Sequence, residues 1–471
     1  MVILSGTNGV RGRINDGITP ELVLQVGKYV GSMYGGTIAV ATDYRVSGRM
    51  VKGALCAGLM SVGCNILDLG ELPTSALHHF ISRHEGLSGG VMVTASHDAT
   101  EFNGLKFITP DGMEDPIFGS VSVEKVMATE IPGVPWHEVG EMTVIGGVLD
   151  GYLDDMLSMV DIDLIRSAGF RICVDCSNGS AFHVAPRILS HIGVEFMTIH
   201  GSASGAEPES DSELTEDNFN DLAYITSQAT FNLGVGFDMD GDRCLFVTHD
   251  GDIVPGDKEM AIIARSILSQ RKGKVICPIS STSVVEDVVN ENGGIMKYTG
   301  VGSPLVARKV KEYDAIFGGE INGGLIFPEF QYCRDGFMAM LRMLEAIARN
   351  GPLSEQADAL PTYSYVTHDL PFPTEKRDML INYFRELRGN HVTDLTDGIK
   401  FVYDAGWVLI RPSTTESMIR LYSQADTTEI AEEKISSMLS KIDAFLNDTG
   451  LASEVLAMDG DDLVDVPGGK D

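Results

Sequence analysis

The stretch TIAVATDYRVSGRMVKGALCAGLMSVGCNILDLG, residues 37–70, opens on a short β-rich apolar run and turns through small polar residues. It continues with helical periodicity, meets Gly63 and resumes as a second apolar run. That order is strand–helix–strand, the parallel crossover unit. The pattern returns in FRICVDCSNGSAFHVAPRILSHIGVEFMTIHG, residues 170–201, broken by Gly193. It returns again in KVICPISSTSVVEDVVNENGGIMKYTG, residues 274–300, broken by Gly294. Three copies in one chain predict three successive α/β domains. The stretch GIKFVYDAGWVLIRPSTTESMIRLYSQA, residues 398–425, reads instead as strand, strand, turn and strand. A charged, helix-periodic run from Thr428 to Leu446 follows, which makes a smaller α+β domain. Expected boundaries are 1–149, 150–253, 254–367 and 368–451, with an acidic, Gly-rich tail at 452–471 expected to be disordered.

The 471 residues accommodate three or four such domains, and 44% apolar content is ample for their cores. Against 35 basic residues stand 67 acidic ones, a net charge of −32. A chain this acidic repels nucleic acid and anionic membranes, so neither is an expected partner. An anionic substrate would need a local basic pocket or a metal ion. The seven cysteines are scattered. Residues 1–12 lack a basic start followed by a long apolar core, and no apolar run reaches the ~20 residues that cross a bilayer. The cytoplasm is the expected compartment. Cys173 and Cys176 form a lone C-x-x-C inside a predicted strand and turn, which reads as packing rather than redox chemistry.

Four loops carry chemistry. In GGVMVTASHDATEFNGLKF, residues 89–107, an apolar run ends in Ser96 and His97. Strand-then-polar-loop is where α/β enzymes keep their reacting groups, although a loop serine is more often a turn residue or a cap. In LGVGFDMDGDRCLFV, residues 233–247, an apolar run delivers Asp238, Asp240 and Asp242 at alternate positions, with Arg243 next. Carboxylates this close repel unless neutralised, and a hard dication takes oxygen ligands, so the loop reads as a Mg²⁺ site with an open coordination place. A calcium EF-hand loop would need glycine and glutamate where Arg243 and His249 stand, and that reading fails. FDMDG also resembles the nucleophile motif of haloacid-dehalogenase phosphatases, but Asp242 stands where that motif has Thr or Val.

FGGEINGGLIFPE, residues 317–329, places Glu320 and Asn322 in a Gly-rich loop fit to meet a polyol. RPSTTESMIR, residues 411–420, gathers Arg411, Ser413, Thr414, Thr415 and Arg420 in one turn, where arginine forks and hydroxyls suit phosphate oxygens.

With its four loops in order over about residues 1–447, the chain resembles the α-D-phosphohexomutase family: phosphoglucomutases, phosphomannomutases and phosphoglucosamine mutases. The resemblance implies four domains with mixed sheets around a central cleft. It implies that Ser96, in the TASH loop, is a phosphoserine. It also implies that Ser96, Asp238, Asp240 and Asp242 hold one Mg²⁺, with Arg243 beside them. Glu320 and Asn322 fall on the sugar-binding loop, and Arg411, Ser413, Thr414, Thr415 and Arg420 on the phosphate-binding loop. Arg11 and Lys106 fall on positions near the phosphoserine, where either could assist proton transfer. Lys106 would act as a base if burial lowers its pKa, and His97 is read as support for the phosphoserine.

The implied reaction moves phosphate between C6 and C1 of a sugar through phosphoserine and a sugar 1,6-bisphosphate, which also serves as activator. The sequence departs from the family's T-A-S-H-N-P at Asp98 and Ala99, and an added carboxylate there needs the metal or an arginine to face. The phosphate loop departs at Thr414 and Ser417, where the family has glycine and proline. The sugar loop reads E-x-N-G-G, like the archaeal phosphoglucosamine-mutase-like branch, which points to glucosamine 6-phosphate. A phosphomannomutase/phosphoglucomutase and a phosphopentomutase are the alternatives within the class. A phosphatase and a non-catalytic sugar-phosphate binder are those outside it. The expected assembly is a monomer or homodimer.

Overall fold

The computed structural model describes residues 3–6, 9–116, 121–202, 212–387, 392–413, 417–452, 455 and 458. The first unit holds β1 (Ile3–Gly6), β2 (Gly9–Arg13), β3 (Thr37–Thr42), β4 (Asn65–Glu71), β5 (Leu87–Val93), β6 (Phe102–Ile108) and β7 (Met142–Val144). They form one sheet in the order β1-β2-β6-β5-β3-β4-β7. The second unit holds β8 (Arg171–Asp175), β9 (Glu195–Ile199), β10 (Leu233–Phe237) and β11 (Cys244–Thr248), ordered β11-β10-β8-β9. The third holds β12 (Lys274–Pro278), β13 (Ile295–Thr299), β14 (Phe317–Gly319) and β15 (Leu325–Ile326), ordered β13-β12-β14-β15.

Each predicted crossover is present: β3 pairs parallel with β4, β8 with β9 and β12 with β13. Ile38 to Ala41 of β3 are wholly buried, as strands of a sheet covered on both faces require. The predicted glycines end the crossover helices in two of the three units, where Gly63 and Gly193 have φ of 89° and 76°. In the third, Gly293 takes the left-handed conformation (φ 66°). Gly294 answers a packing need instead, since a Cβ there would lie 2.9 Å from Leu268 and Val289.

The repeat extends further than the sequence pattern. In each unit the first crossover strand also pairs parallel with a third strand, which turns back antiparallel into a fourth: β3-β5-β6, β8-β10-β11 and β12-β14-β15. The three sheets therefore share one core topology, to which the first unit adds β1, β2 and β7.

The fourth unit is an antiparallel sheet, β16-β20-β19-β18-β17, from β16 (Ser364–Pro371), β17 (Val392–Asp394), β18 (Ile399–Tyr403), β19 (Gly406–Pro412) and β20 (Met418–Ala425). The helix Thr428–Thr449 packs against it. Strand β16 pairs with β20 along its whole length, so this unit begins at 364 rather than 368. The tail assigned from 452 is corrected at its start. Val455 is buried in this unit's core and its N–H bonds Leu451 O; residues 459–471 lie outside the described residues.

One core runs through all three α/β units, centred on the helix Gly336–Asn350. Gly336 to Ile347 are buried without a break, the pattern of a helix enclosed on every side. Asp335 caps it, accepting from the N–H groups of Phe337 and Met338. The Phe337 ring stacks on Phe237 at 4.8 Å, directly beneath the loop that follows β10.

Candidate active site

The shared topology positions the chemistry. Strands β5–β6, β10–β11 and β14–β15 are the three equivalent hairpins, and their connections carry Ser96, the aspartate triplet and Glu320 respectively. The loops meet: Ser96 Oγ reaches the triplet, Cys244 N–H donates to Gly323 O, and Val301 N–H donates to Asp397 of the fourth unit.

Asp238, Asp240 and Asp242 are fully buried, with one carboxylate oxygen of each within 4.8 Å of the others. Gly241 makes the turn at φ 71°, and a Cβ there would stand 2.9 Å from the Phe337 ring. Three cations neutralise the loop. Lys106 Nζ lies 2.7 Å from Asp240 and 3.0 Å from Asp242; Arg334 Nη2 lies 2.7 Å from Asp242; Arg243 Nε lies 3.0 Å from Asp238. Repulsion alone therefore does not demand a metal, as the sequence argument had it. The fit to a cation rests instead on convergence, on buried Asp242 Oδ1, which has no hydrogen-bond partner among the described residues, and on a serine hydroxyl aimed at the same point.

The electrostatics are uneven. Burial, with Asp240 and Asp242 nearby, pushes the Asp238 carboxyl up to about 8. Burial also opposes charge on Asp240 and Asp242, but Lys106 and Arg334 outweigh it and hold both below the ordinary range. The lowered pKa that a basic Lys106 would need is not what its surroundings give. Burial alone would lower its pKa, yet its two carboxylate partners raise it, so it stands as an ammonium ion.

Ser96 Oγ donates toward Asp240 Oδ1 at 3.0 Å and Asp238 Oδ2 at 3.2 Å. Its φ of 55° is left-handed, a strained state that persists only where the surroundings enforce it. They do. Ser96 N–H donates to Thr94 Oγ1, and Thr94 donates to buried Asp43. Arg45, 3% exposed, donates to the carbonyls of Ser96, Asp98, Ala99 and Phe102. The loop that lacks the family's proline is thus stapled by one guanidinium. Asp98 faces an arginine, Arg11 Nη1 at 3.4 Å, which answers how its extra carboxylate is tolerated. His97 Nε2 pairs with Glu213 at 3.0 Å, and Glu213 in turn takes both terminal nitrogens of Arg243. Burial, then Arg243, holds His97 below its ordinary pKa.

Glu320 Oε1 accepts from Gly302 N–H at 3.1 Å, and burial raises its pKa against the pull of Arg334. Asn322 is exposed and accepts from Gly324 N–H. Arg411 and Arg420 stand directly opposite each other on β19 and β20, a like-charge pair that costs stability unless anions attend it. Asp397 attends Arg411 at 2.7 Å and Asp369 attends Arg420 at 3.5 Å. Ser413 is buried beside them, its carbonyl accepting from Arg377. Thr414 and Thr415 lie outside the described residues.

The sequence reading missed Asp43, Arg45, Thr74, Glu213, Arg334 and Asp397. Thr74 donates to Asp240 at 2.5 Å from another unit. Only Asp43 and Arg45 carried a local signal, since they follow β3 in the position where functional loops leave a parallel sheet.

Descriptions of phosphoglucomutase/phosphomannomutase domains match in sequence. The α/β/α domains I, II and III match residues 2–129, 150–251 and 255–363, and the C-terminal domain matches 374–440. A probable phosphoglucosamine mutase of Methanopyrus kandleri is 34% identical over 91% of this chain and 95% of its own. A phosphoglucomutase/phosphomannomutase of Thermococcus kodakarensis is 33% identical over 91% and 96%. Among solved structures, a phosphoglucomutase/phosphomannomutase family protein of Burkholderia thailandensis superposes with a TM-score of 0.82, covering 94% of this chain and 98% of its own at 23% identity. The chain belongs to the phosphoglucomutase/phosphomannomutase family and is a phosphohexomutase.

Proposed function

We propose that the protein is a Mg²⁺-dependent phosphoglucosamine mutase that works through phosphorylated Ser96. The observation that carries the mechanism is the Ser96 hydroxyl, strained and buried, within 3.0–3.2 Å of two aspartates of a convergent triplet. The glucosamine assignment is supported by the E-x-N-G-G sugar loop and by the names of the archaeal relatives.

Ser96, Asp238, Asp240 and Asp242 would hold the metal, which supplies charge stabilisation for the phosphoryl group in transfer. The rest falls to this chain's side chains. Arg411, Arg420 and Ser413 bind the phosphate that is not being transferred, and Glu320 and Asn322 orient the sugar hydroxyls. A sugar hydroxyl oxygen forms its bond to phosphorus as the bond to Ser96 Oγ breaks, and the proton that the hydroxyl loses is balanced by one gained at Ser96 Oγ. The bisphosphate reorients in the cleft; Ser96 Oγ then bonds the other phosphorus as its bond to the sugar oxygen breaks, and that oxygen gains the proton that Ser96 loses. Lys106, held as an ammonium beside Asp240, favours negative charge building near Oγ and suits a proton donor rather than a base. Arg45 and Thr94 hold the serine in attack geometry, and Arg11 lies beside it on Asp98.

The test is ³¹P NMR with Mg²⁺, catalytic hexose 1,6-bisphosphate and glucosamine 6-phosphate, mannose 6-phosphate or glucose 6-phosphate in separate tubes. A 1-phosphate signal growing fastest with glucosamine 6-phosphate, and absent with Ser96→Ala, is the expected result. Equal rates for wild type and Ser96→Ala would overturn the phosphoserine mechanism. Faster conversion of another sugar would overturn the substrate assignment.

A further inference from the structure

Asp397 sits in the turn before β18, in none of the four loops, yet its carboxylate bonds the phosphate loop and the amide next to one that bonds the sugar loop. One oxygen, Oδ2, accepts from Arg411 Nε at 2.7 Å and from Val301 N–H, across the boundary with the third unit, at 3.0 Å. The adjacent Gly302 N–H donates to Glu320 Oε1. Val301 and Gly302 lead into the helix Ser303–Glu312, whose positive end favours both carboxylates. Glu320 of the sugar loop and Asp397 of the phosphate unit are thereby held on consecutive amides of one turn.

The geometry at Arg411 is directional. Nε is committed to Asp397, and the two terminal nitrogens have no partner among the described residues. A guanidinium oriented through Nε presents its Nη1/Nη2 edge as a fork to an oxyanion. Freed from Asp397, the same side chain would rotate under repulsion from Arg420 opposite.

We propose that Asp397 is a positioning residue for phosphosugar binding, one that aims the Arg411 fork at the phosphate and ties that seat to the sugar loop through Val301. The inference deepens the mutase reading and rests on it, because it takes Arg411 as a phosphate ligand. Asp397 touches no substrate; it acts through Arg411 and Val301.

The probe is 1-deoxyglucose 6-phosphate, which carries the phosphate but lacks the acceptor hydroxyl, titrated calorimetrically into the full chain. Asp397→Asn keeps an acceptor for Val301 N–H while losing the charge that orients Arg411, and should weaken binding about tenfold. Arg411→Lys should weaken it at least as much. The double variant should bind no more weakly than Arg411→Lys alone, because lysine has no Nε to orient. Asp397→Ala, which also frees Val301, should bind more weakly than Asp397→Asn, and in turnover Asp397→Asn should raise KM more than it lowers kcat. Wild-type affinity in Asp397→Asn, or additive losses in the double variant, would overturn the proposal while leaving Arg411 as a phosphate ligand. Equal affinities for Asp397→Ala and Asp397→Asn would overturn the link to the sugar loop. Wild-type affinity in Arg411→Lys would overturn the phosphate-seat reading itself.

Discussion

Lys106 Nζ lies 2.7 Å from Asp240 Oδ2, with both side chains sealed from solvent and the two residues 134 positions apart in the chain. Breaking a buried pair of this kind by removing one member costs about 3–5 kcal/mol, since the partner is left charged and unpaired. Lys106→Met should lower the melting temperature in the presence of a chelator. Added Mg²⁺ should stabilise the variant more than the wild type, because a dication would replace the lost charge beside Asp240 and Asp242. Thermal melts with and without Mg²⁺ measure both; an equal gain from Mg²⁺ in the two proteins would count against a metal at the triplet.

Arg45 closes the Ser96 loop onto β3 through four backbone carbonyls. Lysine keeps the charge but cannot span four acceptors. Arg45→Lys should lower kcat about 10²-fold through misplacement of the serine and speed amide exchange over residues 94–102. Normal exchange together with normal kcat would show that the loop holds its strained form without the clamp.

Asp98 is paired with Arg11 and stands two residues from the serine expected to carry phosphate. A carboxylate there repels a dianionic phosphoryl group. Two like charges several ångströms apart interact by somewhat under ~1 kcal/mol even at the dielectric of bulk water, and by several-fold more at that of a protein surface. Asp98→Asn should therefore lower the bisphosphate concentration needed for half-maximal activation by at least about threefold. A titration of activator at fixed substrate reads this directly.

Lys400 is buried at the junction of the third and fourth units, donating to Ile279 O, with Nζ 3.7 Å from the Trp407 ring centroid. Burial depresses its pKa to about 8 from the ordinary 10.5. The unfolded chain therefore binds more protons between those values, and stability rises with pH across that window. It is lost again as pH falls through about 8. Lys400→Met lacks this titration, so the wild type should gain up to about 3 kcal/mol on the variant between pH 8 and 10.5. The cation–π contact over Trp407 favours the charged form and will reduce the gain. Urea unfolding of both proteins across that range is the measurement, and parallel pH profiles would refute it.

The three crossover units were legible because periodicity is written along the chain: alternating or continuous apolar runs, a helical stripe and a breaking glycine occupy some 30 consecutive residues each. The triplet was legible for the same reason, with Asp238, Asp240 and Asp242 within five residues. The two-stranded hairpin that completes each unit was not seen as part of the repeat. Its strands lie far along the chain from the crossover, and β14 and β15 are three and two residues long. The start of the fourth unit was misplaced because β16 is half exposed and pairs with β20 more than forty residues on, a partnership no local pattern records.

By itself, then, the sequence determined the α/β class, the order of the four chemical loops and the residues in them, since local composition and spacing specify these. Only the tertiary structure decided which charges answer one another. Lys106 and Arg334 reach the triplet from 134 and 92 positions away, Arg45 clamps a loop 51 positions on, and Asp397 bonds both Arg411 and the Val301 amide of the third unit. A buried charge takes its partner, and hence its protonation, from whatever the folded core brings within a few ångströms, and distance along the chain says nothing of that.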